Sequence, residues 1–363
     1  MNRRWICSDV WMDILPSFNR PQLGLKMALI SDRFDILVDA HFDGKNELTI
    51  WNYIMICKDE GPKASAIRPE PKLSEWINGT FMAFPLPDRP LPNKIRFRLL
   101  HINYIDYSVI EFLRSNKQIW DRMGTRLELI VYSDETANDV QPIWDVFVRQ
   151  ILPIFVPNIR HLRINNGDHL DNLRRRTSPT ILTDVNHLNS INSRLLLPDG
   201  IADDGPNATA GQVLAKWVHT PTKNGQPKRL QCYDDFDGSN LEGVNNFKET
   251  FRRATTSVSY HIHLYIHPTT RMPIEQFEVV NEGTNDKLIF WEESEYNWLL
   301  IRCPIGDTVT VQRKKKENWD DNLNNVHFHL WDDTNKCIGP LSPPAEEERK
   351  SGRMKATKII NYI

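Results

Sequence analysis

Histidines grouped late in the chain are the residues whose type and spacing best suit chemistry. His261 and His263 lie two positions apart in an apolar run, so in a strand both imidazoles project from one face and can ligate a metal. The further histidines of this group are His267, His327 and His329. No cysteine or carboxylate with ligand spacing completes the set, and His267 precedes a proline in an expected turn. The pattern favours an ordinary strand face, so we predict no metal and no cofactor.

Four aspartates recur at one position of a repeated pattern, where they can form a row of catalytic carboxylates. Each stands eight residues after an arginine that opens an apolar run, and the pairs are Arg98 and Asp106, Arg126 and Asp134, Arg160 and Asp168, and Arg229 and Asp237. Asp in a strand-to-helix loop can accept from the free N–H groups of the next helix, and this capping explains the equal positions more simply. The sequence has no phosphate loop, nucleophile elbow or zinc-protease helix. We therefore assign no catalytic residue and predict that the chain is not an enzyme.

The same pattern predicts a series of strand–helix units. The predicted strands are 98–103, 126–131, 160–165, 229–233 and 260–266, with a degenerate copy at 194–199. The first five units along the chain open with Arg98, Arg126, Arg160, Arg194 and Arg229, at intervals of 28, 34, 34 and 35 residues. Helical patterns follow four of the six predicted strands, at 109–120, 143–151, 213–217 and 241–251. One strand and one helix per interval is typical of a βα solenoid, in which each unit buries its apolar face against its neighbours. The spacing is long and the regular Asn ladder is missing, so we predict an irregular leucine-rich-like solenoid. A doubly wound α/β domain gives the same alternation and is the alternative.

The composition is that of an ordinary soluble protein and points away from charged partners. The 363 residues carry a formal net charge of -2, and 40% are hydrophobic. Without an overall positive field we expect no nucleic-acid partner, and without an apolar run of about eighteen residues we expect no membrane partner. The five cysteines form no CxxC pair, which favours a reducing compartment, the cytoplasm or nucleus. The basic run 313–316 is interpreted as solvated surface.

The first forty or so residues predict three short helices. Ser8 or Asp9 is the expected cap of the first helix, Pro21 suits the start of the second, and the third spans 31–38. Apolar residues recur at helical spacing in all three, and so small a unit cannot hide all of them alone. Some of this apolar surface should therefore face a partner or the rest of the chain.

The order of residues in this segment resembles an F-box. The residues that carry the resemblance are Asp9-Val10-Trp11-Met12-Asp13-Ile14-Leu15, Phe18, Arg20-Pro21-Gln22-Leu23, Met27-Ala28-Leu29-Ile30-Ser31-Asp32-Arg33-Phe34 and Leu37-Val38. The whole chain is also similar to members of an expanded nematode F-box family around 18–43, 84–97, 142–182 and 298–306. F-boxes usually open with Leu-Pro, and this chain has Ile6-Cys7-Ser8 there, which we expect to weaken docking.

The resemblance implies a substrate receptor that docks onto the Skp-type adaptor of a cullin ubiquitin ligase. The adaptor-binding residues that it implies are Val10, Trp11, Ile14, Leu15, Leu23, Leu25, Leu29 and Phe34. An unknown target protein would bind polar or aromatic residues near strand ends, where loops build binding surfaces. These candidates are Asn103, Tyr104, Tyr132, Asn165, Asn166, Tyr233 and His267. Two alternatives stay open: a repeat-type interaction protein with a degenerate F-box and no ligase role, and an α/β enzyme whose site is assembled from distant residues.

The predicted organisation has five segments. They are an F-box-like helical module at 1–45, a connecting segment at 46–94, the βα repeat domain at 95–272, an antiparallel β cap at 273–332 and a partly disordered tail at 333–363. Within the connecting segment, Pro and Gly predict exposed, irregular chain at 59–72 and 84–93. The cap strands are expected at 276–281, 287–291, 298–302 and 308–311. The predicted fold class is thus α/β: a three-helix F-box module, an irregular leucine-rich-like solenoid and a C-terminal antiparallel β region.

Overall fold

The structure is a computed structural model that divides the chain into two compact units. The first unit comprises Met1–Arg122, Val131–Ile143 and Asn324–Ile363, and the second comprises Met123–Ile130 and Trp144–Leu323. The residues that the structure describes are 7–18, 23–28, 30–43, 49–51, 53–58, 65–69, 84–87, 89–91, 95–132, 141–199, 201–223, 225–233, 241–265, 275–307, 323–331 and 337–343. The predicted five-segment division stays a prediction.

Strands and helices alternate along most of the described chain. The strands are β1 Thr49–Trp51, β2 Ile54–Lys58, β3 Ser65–Pro69, β4 Phe84–Pro85, β5 Ile95–Phe97, β6 Leu100–Ile102, β7 Thr125–Tyr132, β8 Ile159–Asn166, β9 Ser190–Leu195, β10 Lys228–Tyr233, β11 Tyr260–Tyr265, β12 Phe277–Asn281, β13 Asp286–Ser294, β14 Asn297–Pro304 and β15 Asn324–Trp331. The helices are α1 Ser8–Ile14, α2 Asp32–Asp43, α3 Tyr107–Ser115, α4 Lys117–Met123, α5 Gln141–Val146, α6 Leu152–Phe155, α7 Gly167–Arg176, α8 Ile181–Asp184, α9 Ala210–His219 and α10 Leu241–Arg253. The mixed α/β class predicted from the sequence is confirmed.

The second unit is built on a mostly parallel sheet. Its strands lie in the order β12-β13-β14-β11-β10-β9-β8-β7, and the run from β7 to β11 is parallel and follows the order of the chain. β12, β13 and β14 pair antiparallel, and β14 adds antiparallel to β11. The antiparallel pairing expected after residue 273 is therefore confirmed for these three strands. The strand expected at 308–311 lies outside the described residues.

The five parallel strands have one apolar face and one polar face. In register across the sheet, the buried residues of one apolar row are Leu127, Leu162, Ile191, Leu230 and Ile262. The helices of this unit contact that face: the Phe247 ring of α10 lies 6.0 Å from the Tyr260 ring, and Lys228 Nζ lies 4.8 Å from the Trp217 ring of α9. Burial of this face under the helices supplies most of the driving force for the unit.

The first unit contributes five further strands to this sheet. These strands lie in the order β15-β6-β2-β3-β4, with β15 and β2 both parallel to β6, and β1 pairs with β5 separately. Asn324 is fully buried and joins three elements, because its Oδ1 accepts from the N–H of Phe97 and its Nδ2 donates to the carbonyl of Ile119. This side chain fixes the start of β15 against β5 and α4.

Several predicted elements are displaced or wrong. The interval 65–69, predicted as exposed connection, is strand β3, and Ile67 within it is fully buried. The degenerate copy at 194–199 is wrong, because the strand β9 begins at Ser190 and ends at Leu195. β15 lies inside the predicted antiparallel cap but pairs parallel with β6, so that part of the cap is wrong. Pro340, in the tail segment, accepts from the N–H of Tyr107, and residues 344–358 lie outside the described chain.

The predicted capping role of the aspartates is confirmed at one position. Asp106 accepts from the N–H of Val109 at 2.9 Å and caps α3. At α7 the cap is Asn166, which accepts from the N–H of His169 at 3.0 Å, and Asp168 sits inside the first turn instead. Asp134 and Asp237 lie outside the described residues. The sequence pattern thus located the loops but not always the capping residue.

Candidate functional site

The N-terminal module, residues 8–43, has a small apolar core of its own. Leu15, Leu23, Ala28, Leu37 and Val38 are buried together. The partly buried side chains around them are Trp11, Met12, Phe18, Met27 and Phe34. The Trp11 and Phe34 rings meet edge-on with centroids 4.8 Å apart, which locks α1 against α2. Leu37 and Val38 of α2 are both part of this core.

The helix starts in this module differ from the prediction. Neither Ser8 nor Asp9 caps α1: the residue at the cap is Cys7, which makes no side-chain capping bond. Its Sγ instead donates to Asp9 Oδ2 at 3.6 Å. The second predicted helix appears among described residues as one π-helical turn, Leu23–Met27. The Phe34 N–H donates to Ser31 Oγ at 3.4 Å across the first turn of α2.

The module leaves apolar side chains on its surface. Val10 is 47% exposed and Ile14 is 36% exposed, and their spacing puts them on one face of α1. Ile36 of α2 and Ile30 before it are 69% and 53% exposed. We refer to Val10, Ile14, Ile30 and Ile36 as the exposed aliphatic residues of this module. Exposed aliphatic side chains in this number on so small a unit suit a protein partner.

The structure divides the predicted adaptor-binding residues into two groups. Val10 and Ile14 are exposed, whereas Leu15 and Leu23 have no accessible surface to offer a partner, because they form the core of the module. Trp11 and Phe34 lie between these groups, partly buried against that core. Leu29 and the side chain of Leu25 lie outside the described residues. Ile30 and Ile36 were not among the residues predicted to bind the adaptor. Ile36 directly precedes the buried residues Leu37 and Val38 in α2, and its side chain points away from them.

One ion pair lies beside the module. Arg89 Nη1 donates to Asp32 Oδ1, but both side chains are largely exposed, so the pair contributes little to stability. Partial burial raises the pKa of the Asp35 carboxyl, the Arg89 charge lowers it, and the Asp32 charge raises it. The start of α2 therefore gathers negative charge, which a helix N-terminus favours.

The polar face of the second unit carries two registered rows of polar residues across β7–β11. One row is Arg126, His161, Ser190, Arg229 and His261. The next is Glu128, Arg163, Asn192, Gln231 and His263. Parallel sheets covered on both faces carry apolar runs on both, so this alternation marks a face built for polar contacts. We use "polar face" for these two rows and for the residues that follow them on the same side of each strand.

The two rows differ in burial, and an ion pair joins two residues of the second row. His161, Ser190 and His261 of the first row are buried, whereas the Arg163 side chain of the second is 42% exposed. Arg163 Nη1 lies 3.3 Å from the buried Glu128 carboxylate. Burial raises the pKa of Glu128, and the charges of Arg163 and Arg126 lower it.

The predicted target-binding residues lie in different surroundings. Asn165 follows Arg163 on the polar face, and Tyr233, 44% exposed, follows Gln231. Asn166 points to the other side and caps α7. Tyr104 is wrong as a target contact, because its side chain is buried and its hydroxyl lies against Gly339, where a Cβ would overlap it.

The other predicted target contacts belong to the first unit or lie outside the description. Asn103 Nδ2 lies 3.7 Å from Met55 Sδ within the first unit, and Tyr132 ends β7 there. The side chain of Tyr132 and all of His267 lie outside the described residues. The arginines of the polar face were not singled out in the sequence as candidate binding residues, although they alternate with apolar residues in β7, β8, β9 and β10.

Buried titratable groups also occur on the helix-covered side of the second unit. Burial lowers the pKa of Lys228 to about 7, and its Nζ donates to the carbonyl of Trp217 at 2.5 Å. Burial, together with the charges of Arg302, Lys216 and Lys228, lowers the pKa of His219 to about 4. His219 packs between Phe247 and Tyr260, with ring centroids 5.3 and 5.5 Å away. Both groups lie inside the packed helix–sheet core, which favours their neutral forms.

A small cavity of about 40 Å³ lies in the same helix–sheet core. Leu129, Leu162 and Ile164 line it from the sheet, and Leu170 and Leu173 line it from α7. An apolar space of this size admits about one water molecule and offers it no adequate set of polar partners. The cavity is therefore a packing gap.

Comparison with known proteins adds no relationship. No family model, no curated protein sequence and no solved structure matches this chain. Among the described residues, none of the helices combines the length and the apolar character needed to cross a bilayer.

Proposed function

We propose that this chain is the substrate-receptor subunit of a Skp/cullin/F-box-type ubiquitin ligase. The observation that carries the proposal is the N-terminal module, whose F-box-like order of residues coincides with a compact helical unit and with exposed aliphatic side chains. Burying Val10, Ile14 and Ile36 against an adaptor would remove aliphatic surface from water, which favours association. The five cysteines all lie within the described residues and form no disulfide, which suits the cytoplasm or the nucleus.

The roles of the module residues follow from their burial. Val10 and Ile14 would contact the adaptor, together with Ile30 and Ile36. Leu15 and Leu23 would act indirectly, because they hold α1 and α2 in the arrangement that exposes those side chains. Without the usual Leu-Pro opening, the segment before α1 offers no proline to the adaptor, so we expect weaker docking than in an F-box that has it.

The proposed target-binding part is the irregular leucine-rich-like βα solenoid of the second unit. Support comes from the order of its parallel strands, which follows the chain from β7 to β11 without reversal. A doubly wound domain has a point where the strand order reverses, and its helices cover both faces. Sequential right-handed crossovers instead put the helices on one face and leave the other for a ligand.

The mechanism requires no catalytic residue in this chain. A receptor that binds a target and the adaptor at once raises the effective concentration of the target near the subunit that transfers ubiquitin. The polar face and the N-terminal module belong to different units, so the two binding events use separate surfaces.

Co-purification with a Skp-type adaptor tests the proposal. The double variant Val10→Asp/Ile14→Asp should bind the adaptor at least about tenfold more weakly, because each carboxylate would be desolvated in the interface. The matched control is Val280→Asp, which changes an aliphatic residue of β12 that is 50% exposed, and it should bind normally. An adaptor that is absent from the wild-type complex, or retained equally by the double variant, overturns the proposal.

The alternative is a repeat-type interaction module with a degenerate F-box and no ligase role. Two observations favour it. Leu15 and Leu23 are buried in the core of the module and cannot contact an adaptor, and the usual Leu-Pro opening is missing. A chain that captures a target protein while binding no adaptor would support this alternative.

A further inference from the structure

The described part of the polar face carries more arginines than carboxylates. Among its described residues, Glu128 is the carboxylate, and the arginines are Arg126, Arg163, Arg194 and Arg229. Arg163 and Arg194 are the more exposed, and Arg126 and Arg229 are half-buried. Guanidinium groups bind carboxylates through paired hydrogen bonds, and a half-buried position strengthens such contacts relative to open water.

The same face carries hydrogen-bonding atoms that lack partners. Asn192 stands between Arg163 and Gln231 in the second row, and its Nδ2 donates to Gln231 Oε1 at 3.3 Å. Asn192 Oδ1 is buried and accepts from no described donor, and the same holds for the hydroxyl of Ser190. Because a buried polar atom without a partner costs free energy, a ligand that supplies an N–H group would be favoured there.

We propose that the polar face binds an acidic, extended segment of a target protein. Carboxylates of the segment would pair with Arg163, Arg194 and Arg229, and a peptide N–H would donate to Asn192. This inference rests on the proposed receptor function, because it names the chemistry of the target that the receptor would hold. The mixture of arginines with amide and hydroxyl groups suits peptide groups as well as carboxylates, whereas a net charge of -2 over the chain disfavours a long polyanion.

Fluorescence anisotropy on the full chain tests this inference, with a labelled Asp/Glu-rich peptide as the probe and an Asn/Gln-matched peptide as its counterpart. The acidic peptide should bind, and the neutral one should not. Arg229→Gln should weaken binding about fivefold, the scale of one charge contact at a partly exposed site. Glu128→Gln should tighten it by about threefold, because the substitution removes the competing carboxylate beside Arg163.

Arg252→Gln is the matched control. Arg252 lies on α10 with a half-exposed side chain, paired to Glu249, and its loss should leave peptide binding unchanged. Equal melting temperatures of the variants would show that they are folded. The opposite signs expected for Glu128→Gln and Arg229→Gln separate a binding effect from simple destabilisation, which would weaken binding in both.

Three results overturn the inference: equal binding of the neutral peptide, no tightening by Glu128→Gln in a folded variant, or tighter binding of single-stranded nucleic acid than of the acidic peptide. Adaptor binding, measured separately on the same proteins, keeps the two proposals apart. Adaptor binding without peptide binding sinks this inference alone. Peptide binding without adaptor binding sinks the receptor proposal and leaves the acidic-segment site standing.

Discussion

The N-terminal module and the polar face of the second unit are two surfaces with opposite construction. The module buries a handful of side chains around Leu15 and Val38 and leaves Ile14 and Ile36 in solvent. The sheet completes its apolar burial on one side and arrays arginines, amides and histidines on the other. The module has a small core and exposed aliphatic side chains, so binding a partner should stabilise it. The polar face belongs to a sheet whose apolar side is already buried, so this surface should be ordered before a ligand binds.

The two regions should therefore respond differently to a lost interaction. Damage to the second unit should be felt by a large cooperative structure. Damage to the module should unfold a short segment and leave the rest folded, because its core is small and local.

The largest expected effect is in the second unit. Asp286 is buried and accepts from Arg302 Nε and Nη2 at 3.0 and 2.8 Å, and Arg302 is buried as well. Asp286→Ala leaves the guanidinium without its counter-charge and should lower the free energy of unfolding by about 3–5 kcal/mol in urea denaturation. As a control, Glu278→Ala removes the exposed partner of Lys287 and should cost less than about 1 kcal/mol. If both variants lost the same free energy of unfolding, burial of the Asp286–Arg302 pair would not explain its contribution.

The next effect should be confined to the module. Leu15→Ala removes a fully buried side chain from its core and should cost roughly 3 kcal/mol of local stability. Limited proteolysis should then cut within 8–43 while the second unit keeps its melting temperature. If the whole chain unfolds in one step, the module is not an independent small core.

The acid stability of the second unit should depend on His219. Its pKa is lowered from the usual 6.5 to about 4, so between these values the unfolded chain binds a proton that the folded chain does not. Stability should fall as the pH drops from 6.5 to 4, by about 2–3 kcal/mol from this group. His219→Leu should flatten that limb in pH-dependent denaturation, and replacement of the exposed His187 should not. An unchanged slope in His219→Leu would exclude this group as the cause.

The smallest effect is expected at the edge of the module. Arg89→Gln removes the ion pair to Asp32, which is solvent-exposed on both sides, and should change the free energy of unfolding by less than about 1 kcal/mol. Adaptor binding should be unaffected. A large loss of stability or of adaptor binding would mean that the charge at the start of α2 dominates this region, and not the exposed aliphatic residues.

The sequence predicted the strands and helices whose apolar residues follow a regular local spacing. Alternation predicted β7, β8, β10 and β11. Two apolar runs predicted β12 and β13, and Asn285 in the turn between them has a φ of 56°. The helix α7 was not predicted, because Leu170 and Leu173 are its buried aliphatic residues and a run of arginines ends it.

Contacts between residues far apart in the sequence could not be predicted from local spacing. β15 alternates like a cap strand, but its partner β6 lies more than two hundred positions earlier, and no local signal encodes that pairing. In the sequence Tyr104 resembles an exposed aromatic residue of a loop, but in the structure its hydroxyl lies against Gly339. In the candidate site the same limit applies: the helical spacing located Val10 and Ile14, but only the packing of α1 on α2 separated them from Leu15.

Hydrogen–deuterium exchange on the full chain, with and without a purified Skp-type adaptor, tests the receptor proposal most directly. We expect slower exchange in 8–43 on adding the adaptor, with the second unit unchanged, and no slowing in Val10→Asp/Ile14→Asp. Unchanged exchange in 8–43 at saturating adaptor, or protection confined to the second unit, would contradict it.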